Sequence, residues 1–183
     1  KKVVISMVDP NPKVKGEGIK ILKNAGIEVV SGILEEEARE LNRGFIKIME
    51  AGRPWITLKM ALTTDGYIGD TTGKSRWITS EQALNYVRDE RLRHDGVMVG
   101  LGTVLKDNPS LLPKNRDGYI PYRIVLDESL MIPYKVKLVN GDYTNRTIIL
   151  TGEGGKQKRW NEFQKRHINI LKVAKEEMGW IDL

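Results

Sequence analysis

The chain has 183 residues, 40% of them hydrophobic, enough for one substantial core or two small ones. No apolar run is long enough for a membrane helix, the first residues carry no signal-peptide pattern, and the absence of cysteine excludes disulfides, thiolate zinc ligands and a cysteine nucleophile, so a cytoplasmic protein is expected. Thirty basic against 24 acidic residues give a net charge of +6, but the signs intermingle, which points to a solvated surface attracting anionic ligands and away from a dedicated nucleic-acid arm.

The short apolar run Val3–Val8 predicts a buried strand, stopped by Asp9-Pro10-Asn11-Pro12. Gly18 to Ala25 carries Ile19, Ile21 and Leu22 between lysines and predicts an amphipathic helix closed by Gly26. Ile27–Val30 predicts a second strand. From Leu34 to Met49 an acidic start and apolar residues at three- and four-residue steps (Leu34, Ala38, Leu41, Phe45, Ile48) predict one long helix. Ala51-Gly52-Arg53-Pro54 then marks a boundary, dividing the chain into residues 1–50 and 51–183.

Beyond the boundary the pattern restarts. Trp55–Ala61 predicts a strand, and Thr79 to about His94 a helix, opened by a capping box of Thr79 and Gln82. Val97–Val99 predicts a strand and the residues before Pro109 a brief helical turn. Tyr122–Leu126, Thr147–Leu150 and Ile168–Val173 predict further strands. Strand-helix alternation on both sides of Pro54 implies an α/β protein with largely parallel pairing.

Ligands of open α/β sheets collect at the carboxyl ends of strands, here after Ala61, Val99 and Leu126. The stretch from Leu58 to Thr79 would bring Thr63, Thr64, Ser75 and Trp77 near one edge; alternatively Asp65-Gly66 is only a turn and Trp77 only core. In Gly100-Leu101-Gly102-Thr103 the glycines let a ligand approach the backbone and the Thr103 hydroxyl can donate to phosphate. The same residues also read as a capped turn, with Thr103 as the cap and Asp107 closing it. Leu105 stands where a dinucleotide fingerprint needs its third glycine, and Gly152–Lys156 lacks the first glycine of a P-loop. His94 and His167 have no metal-ligand spacing. Arg88, Arg91 and Arg93 read as a solvated helix face, or as a source of one phosphate-gripping arginine.

Val8-Asp9-Pro10-Asn11-Pro12, Gly16-Glu17-Gly18, Ala25–Val29, Leu34–Ala38 and Leu41–Phe45 together resemble the end of the deaminase domain of the bifunctional riboflavin-biosynthesis deaminase/reductases. Leu58–Ala61, Thr64-Asp65-Gly66, Gly73–Thr79 and Gly102–Leu111 resemble the start of the reductase domain, so the resemblance runs in order over residues 1 to about 130. It implies a dihydrofolate-reductase-like domain preceded by the last strands and helices of a cytidine-deaminase-like domain. The implied reaction is NADPH-dependent reduction of 5-amino-6-(5-phosphoribosylamino)uracil to its ribitylamino product. The implied cofactor contacts are Ala61, Trp77, Thr103 and Asp107; the implied substrate contacts are Ser75, Arg91, Leu111 and Lys114, with Lys59 also at the site, where its position suggests the catalytic role of relaying a proton to the ribose.

Lys114 stands where the family usually has an arginine, and it offers charge without a bidentate fork. The zinc motifs of the deaminase reaction are absent, so zinc belongs only to a part outside this chain, as does the later glycine-rich segment of the reductase. The expectation is an internal fragment that binds NADPH weakly alone and self-associates through an exposed strand edge. The expected partner is a phosphorylated pyrimidine, with neither nucleic acid nor membrane. The alternatives are a dihydrofolate reductase proper, which would not bring the Asp9-to-Phe45 segment, and a basic polyanion-binding module suggested by a pI of 9.4.

Overall fold

The computed structural model describes residues 1–72, 78–115, 117–152 and 157–174. The chain forms two compact units, Lys1–Met60 and Ala61–Leu183. Among the described residues no helix is long and apolar enough to cross a membrane.

In the first unit, strand β1 (Lys2–Ile5) pairs in parallel with β2 (Glu28–Ser31), Val3 opposite Val29, and helix α1 (Glu17–Asn24) connects them. β1 ends three residues before the predicted Val8, because β2 offers only four residues to pair with. The helix predicted over Leu34–Met49 is two helices, α2 (Glu35–Leu41) and α3 (Arg43–Ala51). The break lies at Asn42, whose φ of −104° and ψ of 15° leave the helical region. Its side-chain amide donates to the Ala38 carbonyl at 2.8 Å, a local bond that competes with continuation of the helix. Leu34 lies before α2, in the left-handed region.

The predicted strand Trp55–Ala61 does not form. A strand exists only through a ladder with a neighbour, and the two sheets of the described residues, β1-β2 and the four-stranded sheet below, do not include this segment. Ile56 and Leu58, 82% and 80% exposed, therefore stand in solvent in spite of a strand-like composition.

The second unit is built on a parallel sheet in the order β3 (Gly96–Gly100), β4 (Tyr122–Leu126), β5 (Thr147–Thr151), β6 (Asn169–Lys172). At Gly96 a Cβ would meet the Ile124 Cδ1 at 2.9 Å, so glycine allows β3 to lie close against β4. Helix α4 (Glu81–Glu90) precedes β3, α5 (Leu101–Asp107) joins β3 to β4, and α6 (Gln157–Lys165) joins β5 to β6. α4 starts two residues later than predicted. Ser80 caps it, its hydroxyl accepting from the Ala83 amide at 3.2 Å, so the Thr79–Gln82 box is not used. A 3-10 turn, Arg91–Arg93, follows and ends the helix before His94.

Val104, Val125, Ile149 and Phe163 are fully buried, taking one residue each from α5, β4, β5 and α6 into a common core. Two contributors lay outside the predicted elements. α6 is masked in the sequence by its charges, yet it buries Phe163 completely. The irregular segment between β4 and β5 buries Leu130, Ile132, Leu138 and Val139 with neither strand nor helix period.

Candidate cofactor and substrate site

α5 begins directly where β3 ends, so its first turn lies at the carboxyl edge of the sheet. Thr103 and Asp107 are four residues apart on this helix, hence on one face, and both are exposed. Apart from the chain neighbours and the helix's own backbone, no atom of the described residues lies within 4 Å of where a Cβ would stand at Gly100 or Gly102, so this turn is open on its outer side. The face therefore offers a hydroxyl, a carboxylate and accessible main chain within a helix about 10 Å long.

Beyond α5 the chain enters a tightly held loop. Asn108, at φ 41°, closes the helix through its amide to the Val104 carbonyl at 3.0 Å, and its side-chain oxygen accepts from the Lys137 amide at 2.8 Å. Leu111 also has a left-handed backbone, φ 55°, and its side chain is part of the core at 5% exposure. Any ligand contact by Leu111 is thus confined to its main chain and the little surface it keeps. Leu112 and Pro113 are buried, and Lys114 emerges exposed.

Arg91 reaches this loop from the turn after α4. Its Nη1 donates to the Leu112 carbonyl at 2.7 Å. Burial, and secondarily the charge of Arg88, push the Arg91 guanidinium below its ordinary value. An anion accepted by its remaining donors would relieve that cost. The cationic group near this loop is thus Arg91 and Lys114, and it lies past the end of α5 instead of at a strand's carboxyl end.

At the third predicted strand end, after Leu126, the first residue is structural. Both carboxylate oxygens of buried Asp127 are occupied, one by the Met131 amide at 2.8 Å and the other by the Ile132 amide at 2.6 Å. Arg159 closes the same loop from outside, its Nε donating to the Leu130 carbonyl at 2.6 Å and its guanidinium stacked over Tyr134. These polar groups satisfy one another, while Glu128 and Ser129 stay exposed at the strand end. At the first site, Asp65-Gly66 is a turn: the Gly66 amide donates to the Thr63 carbonyl at 3.0 Å, with Gly66 at φ 86°.

Ser75 and Trp77 lie outside the described residues. Lys59 belongs to the first compact unit and is exposed, while Ala61 opens the second. Among the described residues no cluster of three or more His, Cys, Asp or Glu could hold a metal ion. One residue absent from the predicted set stands out: Arg123 of β4 is 1% exposed and hydrogen-bonds to the Ser110 carbonyl of the loop. A hint was available, since strand alternation puts Arg123 on the same face as Val125.

Comparison with known proteins places the chain in a family. Residues 54–178 match the RibD C-terminal domain. The riboflavin biosynthesis protein RibD of Aquifex aeolicus is 40% identical over 96% of this chain and 52% of its own length. RibD of Acinetobacter baumannii superposes with a TM-score of 0.83 at 34% identity, over 97% of this chain and 49% of that one. A Thermotoga maritima structure, described as a diaminohydroxyphosphoribosylaminopyrimidine deaminase/5-amino-6-(5-phosphoribosylamino)uracil reductase, superposes with a TM-score of 0.76 at 34% identity, over 96% and 54% of the two chains. The chain spans about half the length of the curated relatives it matches.

Proposed function

The chain belongs to the RibD C-terminal domain family, and from that membership we propose that it forms part of a cytoplasmic reductase of riboflavin biosynthesis. The reaction is the NADPH-dependent reduction of 5-amino-6-(5-phosphoribosylamino)uracil to the ribitylamino product. Residues 1–50 are read as the C-terminal part of a deaminase domain and 51–183 as the N-terminal part of the reductase domain.

The observation that carries this reading is the convergence of Arg91 on the loop of Leu111 and Lys114, at the end of the helix that displays Thr103 and Asp107. A dinucleotide fits the open first turn of α5: Thr103 can donate to a phosphate oxygen and Asp107 can accept from a sugar hydroxyl. Ala61 and Trp77 complete the cofactor contacts in this proposal. NADPH, when bound, supplies the hydride that reduces the ribosyl carbon. The chain's own residues bind and orient. Arg91 and Lys114 take the substrate phosphate, Ser75 and the Leu111 backbone its polar groups, and Lys59 delivers a proton to the opening ribose oxygen.

The test is cofactor oxidation by the complete protein with three substrates: the phosphorylated ribosylaminouracil, its dephosphorylated analogue and dihydrofolate. Turnover of the phosphorylated compound and none of dihydrofolate supports the reading. The reverse selects the dihydrofolate reductase alternative.

A further inference from the structure

Arg123 is a buried cation with no ion pair to a carboxylate among the described residues, although the charge of Asp142 favours its charged form. Its Nη2 lies 2.6 Å from the Tyr143 carbonyl, 2.8 Å from the Thr147 hydroxyl, 3.2 Å from the Asp142 carbonyl and 3.5 Å from the Leu138 carbonyl. Its Nη1 turns the other way, to the Ser110 carbonyl at 3.4 Å. Burial pushes the guanidinium down to about 10, so it remains charged at neutral pH. Stability alone is a poor reason for such a residue, because apolar groups of similar volume usually fill a buried site as well as an ion does. A rigid fork that joins two separate stretches of chain is something only arginine provides.

The stretch on the Nη1 side is the loop assigned to the substrate. The Ser110 carbonyl belongs to the peptide plane that carries the Leu111 nitrogen, so anchoring that oxygen restrains the φ of Leu111. That angle, 55°, is one a leucine seldom adopts unaided. The Leu112 carbonyl, in the plane that follows Leu112, is anchored by Arg91. The two arginines thus hold the peptide planes on either side of Leu111-Leu112, from which Lys114 projects.

We propose that Arg123 is a positioning residue for substrate binding, which acts through the Ser110 carbonyl to fix the Leu111–Lys114 loop against the segment between β4 and β5. It touches no substrate itself. The inference rests on the functional reading above for the identity of the substrate, but not for the existence of the clamp.

Arg123→Lys in the complete protein keeps the charge and removes the fork. The expected result is a substrate KM raised about tenfold, with kcat and the NADPH KM within about twofold of wild type. Ser110→Gly keeps the carbonyl that Arg123 anchors, but it loosens the backbone on either side and removes the hydroxyl that accepts from the Leu112 amide at 3.4 Å, so it should shift the substrate KM the same way. Thr147→Val, which disturbs only the Nη2 side, should lower the melting temperature and leave both KM values alone. A second readout needs no catalysis: trypsin should cut the folded Arg123→Lys protein after Lys114 about tenfold faster than wild type, and the Thr147→Val protein no faster. An unchanged substrate KM, equal rises in both KM values, an equal effect of Thr147→Val, or unchanged cleavage after Lys114 overturns the proposal. If wild type fails to reduce the ribosylaminouracil phosphate while the cleavage difference holds, the functional reading falls and the clamp stands.

Discussion

Arg91 donates from Nη1 to the carbonyl of Leu112 at 2.7 Å, joining the turn after α4 to the loop that follows α5. The bond links residues 21 apart in sequence, and among the described residues it is the one side-chain hydrogen bond of Arg91, so other donors can serve an anion. Arg91→Ala should raise the KM for the phosphorylated substrate about tenfold or more, since a hydrogen bond to a charged group contributes roughly 1.5–3 kcal/mol. Its dephosphorylated analogue should be affected much less. Equal increases for both compounds would mean that Arg91 only holds the loop.

Asp107 separates cofactor from substrate effects. Because it shares a face of α5 with Thr103 and lies one residue before the left-handed Asn108, Asp107→Ala should raise the KM for NADPH. The substrate KM should change within about twofold. Steady-state kinetics with each ligand varied in turn checks this, and a rise confined to the substrate would reverse the assignment.

Asp127 is a structural carboxylate. Asp127→Ala strands the Met131 and Ile132 amides, and each buried unsatisfied amide costs about 1–3 kcal/mol. Urea unfolding should show a loss of about 2–6 kcal/mol, and Asp127→Asn, which keeps one acceptor, should lose less. A destabilisation below the error of the measurement would show that the loop re-solvates these amides.

Phe163 tests the core contributed by α6. It is fully buried, with its ring 5.0 Å from that of Tyr134 and the Arg159 guanidinium 5.4 Å away. Phe163→Ala should cost about 3–5 kcal/mol and leave the substrate KM of the folded fraction unchanged.

The parallel α/β pattern was legible because β3, β4 and β5 are short apolar runs, a signal that sequence carries locally. Helix limits were less so. Asn42 breaks one predicted helix through a side-chain bond to Ala38 that hydrophobic periodicity cannot register, and Ser80 displaces Thr79 as a cap by one residue. Trp55–Ala61 reads as a strand in composition, but strand formation depends on a partner elsewhere in the chain. Within the site, Thr103 was legible from the glycine-flanked turn after β3, and Asp107 only from the resemblance; the helix puts the two on one face. The link from Arg91 to Leu112 and the contacts of Arg123 were not legible, because both join residues distant in sequence through main-chain carbonyls, which have no residue-type signature.

The fate of the hydride decides whether the α5 face and the Arg91 loop serve one reaction. The complete protein is supplied with NADPH carrying deuterium at the transferable C4 position and with 5-amino-6-(5-phosphoribosylamino)uracil, and the product is analysed by mass spectrometry and NMR. The account predicts deuterium at C1' of a ribityl chain, with incorporation falling at limiting substrate in parallel with turnover in the Arg91→Ala protein. A ribityl product without deuterium, or oxidation of NADPH without any ribityl product, would contradict it.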